Sequence, residues 1–304
     1  MGASSVMTVE DYRPGSPVGR ERELAYCRAL EEGHILFFPR TPLDLPEADR
    51  AFLLDQRQVD AGYHKNIAYR PETDRVSGFV RRRPGDDETL RRVLRDYSQR
   101  VVRFAAELLP SYAQAWRVDF ASFRPQEEAG RRAKLRARND LVHVDAFPTR
   151  PCRGDRILRV FTNVNPAVPR VWQTAETFDA LAERFAIPSG LLARARRGGL
   201  GRAARRTLRA IGLPVVARAP YDEFMLRFHH FLKENAAYQA EARKDTHTFP
   251  PGSTWIVFTD MVSHAVLSGQ HALEQTFIVA RGSLVSPERA PVAILERLAG
   301  SRLG

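Results

Sequence analysis

Apolar side chains follow two different spacings along this chain. Between residues 86 and 109 they recur every three or four positions, which is the spacing of one helix face, and Pro110 ends the run. From about residue 117 onward they alternate with polar residues or form short runs bounded by Pro, Gly, Asn or Asp, as strands do. The spacing therefore predicts a helical N-terminal region, at about residues 20–110, followed by a region rich in strands.

The predicted strands are VDFASF, LVHVDAF, RILRVFTNVNP, STWIVFTD and ALEQTFIVA. Such a set favours an α+β fold built on a double-stranded β-helix, or jelly roll, whose open end commonly houses a metal or a ligand. Between the third and fourth of these strands, residues 174–244 have helical spacing and predict a helical insertion. We find no internal repeat and no linker, and therefore predict a single domain over residues 1–304.

Candidate chemistry lies in the predicted strand LVHVDAF. Residues i and i+2 of a strand point to the same side, so His143 and Asp145 can bind one ion together. A second imidazole, that of His264, follows in the strand-like segment TWIVFTDMVSHAV. Two histidines and one carboxylate are the ligands of a non-haem Fe(II) centre that leaves one face of the metal open. The alternative is an ordinary strand histidine, hydrogen-bonded to Asp145 or to the backbone.

The strand RILRVFTNVNP places Arg159 and Asn163 on one face, which we predict to line the pocket of the metal. A buried guanidinium needs an anion, and a dicarboxylate cosubstrate would supply one. The alternative is that Arg159 pairs with a structural carboxylate such as Glu274 or Asp145. Gln275 in the last strand is a further candidate for the cosubstrate pocket.

Charge and cysteine content narrow the class of protein. Lys and Arg exceed Asp and Glu by 47 to 36, which implies an acidic partner such as nucleic acid, an anionic membrane surface or a sugar acid. A coding bias towards Arg is the rival explanation. Cys27 and Cys152 are too few and too far apart to suggest a disulfide framework. With neither a signal-peptide pattern nor an 18-residue apolar run, we expect a cytoplasmic protein.

Positive charge is concentrated in the predicted insertion. From Arg184 to Tyr221, both included, there are nine Arg and no acid, and residues 202–215 can form a helix with one thin apolar face. This composition is typical of a helix at an anionic membrane surface, and a solvated charged helix is the alternative. His229 and His230, further along, are predicted to be ordinary helix residues.

Longer blocks resemble a known family. LVHVDAFPTRP, RVFTNVNP, FMLRFHHFLK and FTDMVSHAVLSGQHALEQTF look like the Kdo hydroxylases, and YHKNIAYRPETDRVSGF resembles their N-terminal segment. These are Fe(II)/2-oxoglutarate-dependent dioxygenases of the jelly-roll class that act on the Kdo (3-deoxy-D-manno-octulosonic acid) of lipopolysaccharide. The resemblance covers about residues 60–285.

The resemblance implies hydroxylation at C3 of Kdo linked to lipid A, which gives Ko in lipopolysaccharide. His143, Asp145 and His264 would hold Fe(II), with 2-oxoglutarate and dioxygen as cosubstrates. Many relatives place an Arg about ten residues after the second histidine, where this chain has Glu274, so Arg159 is the substitute that we predict. The candidate sugar contacts, for which ordinary loop residues are the alternative, are Lys65, Asn66 and Tyr69.

Two other functions remain open at this point. One is a 2-oxoglutarate oxygenase that acts on another anionic substrate such as nucleic acid, although no strip of aromatic and basic residues for base stacking is visible. The other is a non-catalytic, basic jelly-roll binding module. For the leading function, we expect Kdo-lipid A as the partner, peripheral contact with the inner membrane and no nucleic acid.

Overall fold

The structure is a computed structural model that describes residues 5–16, 18–59, 66–197 and 218–303. The strands are β1 (Val6–Thr8), β2 (Ile35–Phe38), β3 (Ile67–Arg70), β4 (Arg75–Ser77), β5 (Trp116–Arg124), β6 (Arg156–Asn163), β7 (Arg170–Thr177), β8 (Asp245–Phe249), β9 (Thr254–Phe258), β10 (Val262–Ser268) and β11 (Ala272–Val279). The helices are α1 (Arg20–Glu31), α2 (Glu47–Leu54), α3 (Asp86–Leu108), α4 (Pro110–Ala113), α5 (Phe178–Phe185), α6 (Leu191–Arg197), α7 (Pro220–Glu234), α8 (Ala236–Glu241) and α9 (Pro291–Ala299).

Two sheets pack against each other. The larger has the strand order β1-β2-β9-β6-β11-β5-β3-β4, and the smaller has the order β10-β7-β8. Except for the parallel pair β1–β2, neighbouring strands are antiparallel. Aromatic contacts join the two sheets: the Trp172 ring lies 4.9 Å from that of Phe161 and 5.6 Å from that of Trp255. This is the two-sheet sandwich that the short strands predict.

Strand β6 is buried on both faces, which explains its long apolar run. Leu158 and Val160 belong to the main core, which includes the buried face of α3. Phe161 points the other way, into the space between the sheets. The same alternation places Arg159 on the inner face with Phe161, so β6 carries a guanidinium into the interior of the sandwich.

Helix α3 matches its predicted bounds to within one residue. Its buried side chains are those that set the helical spacing: Leu90, Val93, Leu94, Tyr97, Val101, Phe104 and Leu108. Three acidic residues in its first turn interact favourably with the positive end of the helix dipole. The helix covers the outer face of the large sheet, where the Tyr97 hydroxyl lies 3.3 Å from Thr162 Oγ1.

Several boundaries differ from the sequence prediction. The N-terminal region is not only helical, because β2, β3 and β4 join the large sheet. The insertion begins at residue 178 rather than 174, because residues 170–177 form β7. The segment LVHVDAF is not a regular strand: His143 makes a single β-bridge with His264. Lys65 and residues 198–217, which include most of the Arg-rich segment, lie outside the described residues.

No helix in the described ranges combines the length and the apolar character that crossing a bilayer requires.

Candidate metal centre

Backbone hydrogen bonds bring the two predicted histidine ligands together. His143 N donates to His264 O (3.1 Å) and His264 N donates to His143 O (2.9 Å), so the two residues face each other across the edge of the small sheet. Directly opposed residues project their side chains to the same side. Asp145 is fixed nearby, because its N–H donates to Thr259 O at 2.8 Å. The offered ligand atoms of the three residues lie within 4.8 Å of one another.

Each imidazole is oriented by a carbonyl two residues earlier in the chain. His143 Nδ1 lies 2.7 Å from Leu141 O, and His264 Nδ1 lies 2.9 Å from Val262 O. Because a carbonyl only accepts, each Nδ1 must donate, which leaves the lone pair on Nε2 for a metal. Burial lowers the pKa of both histidines below the ordinary value, so both rings are neutral, as metal ligands must be.

Asp145 supplies the negative charge. Burial alone would raise the pKa of this carboxyl, but it is opposed above all by the positive charge of Arg159, and the pKa lies below its ordinary value. Its Oδ2 is buried and has the Arg159 guanidinium as a charged neighbour. One ionised carboxylate and two neutral imidazoles, whose ligand atoms lie within 4.8 Å of one another, fit a divalent metal ion.

Two further side chains pack against the histidine ligands. The Trp172 ring stacks on His264, with centroids 5.1 Å apart and planes at 16°. The ring of His229 meets that of His143 edge-on at 4.7 Å, and His229 Nδ1 donates to Val144 O at 2.8 Å. His229, predicted to be an ordinary helix residue, thus supports a ligand without belonging to the triad. The sequence does not indicate this role of His229, because helical spacing does not show where a helix packs.

A buried network of ion pairs lies beside the triad. Arg159 Nη1 is 3.1 Å from Asp145 Oδ2, and Arg159 Nη2 is 3.8 Å from Glu274 Oε1. Glu274 Oε2 also accepts two hydrogen bonds from Arg124, at 2.8 and 2.6 Å. Arg159 therefore lies beside the triad, which a contact with the cosubstrate requires. It also pairs with Asp145 and Glu274, which is the alternative that the sequence leaves open.

The structure does not bring Asn163 or Gln275 to the triad. Asn163 is buried, and its amide group donates to Val168 O and Phe249 O, both at 3.1 Å. Gln275 lies opposite Val160, on the outer face of the large sheet, and donates to Asp119 O at 2.8 Å. Both amides therefore serve the backbone, which corrects their prediction as cosubstrate contacts.

Of the two described candidates for sugar contacts, Tyr69 lies away from the triad and Asn66 stays a candidate. Tyr69 is buried in the main core, and its hydroxyl donates to Asp74 at 3.0 Å. It lies opposite Ala121, on the same outer face as Gln275, which removes it from the site. Asn66 precedes β3, and its buried Oδ1 accepts no hydrogen bond within the described part of the chain, so it stays a candidate. A cavity of about 830 Å³ lined by Thr162 and Leu273 also belongs to the outer face, away from the triad.

A jelly roll that holds two histidines and an aspartate at one end of its small sheet has the ligand arrangement of the non-haem iron oxygenases. The family model for 3-deoxy-D-manno-oct-2-ulosonic acid (Kdo) hydroxylase matches residues 16–302. The chain belongs to this family. No curated protein matches it significantly.

Solved structures of the Kdo hydroxylase KdoO, a non-haem Fe(II) α-ketoglutarate-dependent dioxygenase, resemble the whole chain. The apo structure is 32% identical with a TM-score of 0.84, and the complex with α-ketoglutarate and Fe(III) is 32% identical with a TM-score of 0.83; each comparison covers 99% of this chain and 97% of the other. The cobalt(II) complex is 33% identical over 98% of this chain and 97% of the other, with a TM-score of 0.84. The predictions of the family and of the jelly-roll core are confirmed.

Proposed function

We propose that this protein is an Fe(II)/2-oxoglutarate-dependent dioxygenase that hydroxylates C3 of Kdo linked to lipid A and so gives Ko in lipopolysaccharide. The observation that carries the proposal is the convergence of His143, Asp145 and His264 within 4.8 Å, in a chain that matches Kdo hydroxylases over nearly all its length. With Fe(II) and 2-oxoglutarate bound, such a centre uses dioxygen to place a hydroxyl group on a C–H carbon and releases succinate and carbon dioxide.

The three ligands divide the work of holding the metal. Asp145 offsets one of the two positive charges, and the imidazoles of His143 and His264 bind through Nε2 without adding charge. A site with three protein ligands leaves positions for the cosubstrate and dioxygen. Trp172 and His229 limit the movement of the two rings and keep water from their outer faces.

Arg159 is the proposed partner of the distal carboxylate of 2-oxoglutarate. Its Nη1 now lies beside Asp145, and its buried Nε donates to no described residue. When a divalent ion binds Asp145, that carboxylate no longer offsets the charge of Arg159 fully. A carboxylate from the cosubstrate would restore the balance with charge-assisted hydrogen bonds. Arg124 and Glu274 hold the guanidinium in place from the other side.

Peripheral contact with the cytoplasmic face of the inner membrane is part of the proposal, because the lipid A acceptor is itself a membrane lipid. Support comes from both flanks of residues 198–217. Ile187 and Leu192 are exposed by 45% and 38%. Arg194 and Arg218 line one cavity of about 380 Å³. Exposed apolar groups beside arginines suit an anionic lipid surface. Sedimentation with anionic vesicles, but not with neutral ones, would support this contact.

The test of the function is product formation from Kdo-lipid A with Fe(II), 2-oxoglutarate and dioxygen. We expect a product heavier by one oxygen atom, with succinate formed in equal amount, and none with oligonucleotides. The His143→Ala variant should keep its fold, as judged by circular dichroism, and lose turnover. Succinate release that depends on oligonucleotides would favour the nucleic-acid alternative, and no release with any acceptor would favour a binding module.

The test of the cosubstrate site is the concentration of 2-oxoglutarate required for half-maximal rate. Arg159→Ala should raise it by about 10-fold or more, because a buried charge-assisted contact is lost. Arg138→Ala, which breaks a surface pair with Asp140, is the matched control and should leave it unchanged. If Arg159→Ala leaves the required concentration of 2-oxoglutarate unchanged, a residue other than Arg159 binds the distal carboxylate.

A further inference from the structure

Arginine and phenylalanine side chains form a continuous stack beside the metal triad. The guanidinium carbon of Arg150 lies 4.1 Å from the ring centroid of Phe120 and 4.1 Å from that of Phe147. Arg159 extends the stack inwards, 5.3 Å from Phe147, and Arg70 extends it outwards, 5.2 Å from Phe120. The stack therefore connects the surface to the residue that contacts Asp145.

The central guanidinium lies between two rings and shares its carboxylate partner with another arginine. The Arg150 side chain is 24% exposed and, among the described residues, donates its side-chain hydrogen bond to Asp119. That carboxylate is shared, because Arg117 Nη1 lies 3.7 Å from its other oxygen. Burial lowers the pKa of Arg150, and Arg159 lowers it further, although Asp119 opposes both. A second anion on the free edge of Arg150 would be stabilised by this arrangement.

The proposed substrate carries an anion at the required place. In 3-deoxy-D-manno-oct-2-ulosonic acid, as its name states, C1 is the acid, C2 the ketose carbon and C3 the deoxy position. The carboxylate is therefore two bonds from C3, the carbon proposed to be hydroxylated. If C3 approaches the open face of the metal, the carboxylate must lie close to the triad. Arg159 is already assigned to the distal carboxylate of 2-oxoglutarate, and Arg150 is the next guanidinium along the stack.

We propose that Arg150, clamped between Phe120 and Phe147, binds the carboxylate of the acceptor sugar and so places C3 towards the metal. The assignment rests on the proposed function. A cavity of about 490 Å³ adjoins the outer part of the stack; Asp119 and Phe120 line it together with Arg70 and Arg117. This cavity receives the remainder of the acceptor.

The local sequence explains why this arginine is well placed. Phe147 follows the ligand Asp145 by two residues, and Arg150 follows three residues later, so one loop carries a metal ligand, a stacking ring and the guanidinium. A shift of this loop would move the metal ligand and the sugar contact together. Planarity also matters, since a lysine cannot fill the space between two rings as a guanidinium does.

The experiment compares Arg150→Gln and Arg150→Lys with the wild-type enzyme. Arg153→Gln is the matched control, because Arg153 is exposed on the same loop. We expect Arg150→Gln to raise the KM for Kdo-lipid A by about 10-fold or more and Arg150→Lys to restore part of it. The KM for 2-oxoglutarate and succinate release without acceptor should stay the same, as should every constant of Arg153→Gln.

A binding measurement separates carboxylate recognition from a structural role. Free Kdo and its methyl ester are titrated into metal-free protein by calorimetry. Wild-type protein should prefer the acid by about 10-fold or more, and Arg150→Gln should lose that preference. Equal weakening for acid and ester, or a raised KM for 2-oxoglutarate, would overturn the proposal.

The two proposals fail separately. A wild-type enzyme that hydroxylates Kdo, with an Arg150→Gln variant that binds acid and ester as the wild type does, refutes only the role of Arg150. A wild-type enzyme inactive on every Kdo acceptor refutes the proposed function, whatever the variants bind. If Arg150→Gln has a lower melting temperature, the deciding measurement is the ratio of acid to ester affinity in Arg150→Lys. A preference for the acid that is kept in part supports the role of Arg150, and its complete loss contradicts that role.

Discussion

Asp145 is the ligand on which the charge of the metal site depends. Its carboxylate is buried and ionised, and both histidines beside it are neutral. In Asp145→Asn the shape is kept but the negative charge is lost, so the affinity for a divalent ion should fall by about 100-fold or more. Cobalt(II) titration followed by visible absorption measures this directly. Asp140→Asn, on the surface, is the control, and equal cobalt affinity in both variants would contradict the assignment.

The triad was predictable because its signal is local and chemical. His143 and Asp145 are two positions apart, and their residue types suit one kind of metal. The structure places Gln275 and Asn163 elsewhere for two different reasons. For Gln275, the sequence shows that residues alternate between two faces, but it does not show which face of a central strand looks inwards, since β11 is buried on both. Asn163 shares the inner face of β6 with Arg159, but it lies four residues further along the strand, where its amide donates to backbone carbonyls. Arg150 went unnoticed because its two rings come from separate segments.

Helix α3 and strands β7 and β8 show what spacing can predict at the level of elements. The helix has about six turns of consistent apolar spacing in one continuous segment, from Asp86 to Leu108. Strand β8, DTHTF, is short and mostly polar, and β7 begins with a buried arginine, Arg170. Neither resembles an isolated strand, because each is specified by its partner in the small sheet rather than by its own residues.

The buried face of α3 gives a prediction for the stability of this element. Leu94 is fully buried in the main core, so Leu94→Ala should lower the free energy of unfolding by about 2–5 kcal/mol through lost contacts and a residual cavity. Arg91→Ala, on the solvent side of the same helix, should change it by less than about 1 kcal/mol. Urea unfolding measures both. Similar losses in the two variants would mean that α3 does not pack as described.

The turn between β9 and β10 is fixed by one buried ion pair. Asp260 accepts hydrogen bonds from Arg156 Nε and Nη2, at 2.9 and 3.2 Å, and both side chains are almost fully buried. Asp260→Ala would leave the guanidinium without its carboxylate, so the free energy of unfolding should fall by about 3–5 kcal/mol. Asp140→Ala, which breaks an exposed pair, should cost about 1 kcal/mol or less. If Asp260→Ala and Asp140→Ala lower the free energy of unfolding equally, burial of the Arg156–Asp260 pair does not determine its contribution to stability.

The positive charge of the molecule is largely compensated within the described residues. Arg92 with Asp49, Arg124 with Glu274 and Arg156 with Asp260 are examples in which an arginine binds a carboxylate that is itself buried. Net charge therefore says little about where a ligand binds. Two arginines are informative because of their position: Arg159 pairs with Asp145, which the metal requires, and Arg150 lies between two rings on the same stack and shares Asp119 with Arg117.

Buried histidines make the stability of the whole protein depend on pH. The pKa values of His143 and His264 are lowered by burial, and burial lowers the pKa of His229 to about 3. In the unfolded chain each takes up a proton near pH 6.5, whereas the folded protein does not. Below about pH 6.5 the unfolded state therefore gains protons, and the free energy of unfolding should fall by up to about 1.4 kcal/mol per pH unit for each histidine.

Urea unfolding of metal-free protein at pH 7.5, 6.5 and 5.5 measures this dependence. Few carboxylates titrate in this range, and a buried one whose pKa is raised, such as Asp260, acts in the opposite direction. The loss of stability towards pH 5.5 is therefore assigned to histidines. His229→Gln removes one of them, so its stability should fall less steeply than that of the wild type. If the free energy of unfolding stays constant or rises as the pH falls from 7.5 to 5.5, these imidazoles are protonated in the folded protein. That result would contradict the neutral rings that the proposed metal site requires.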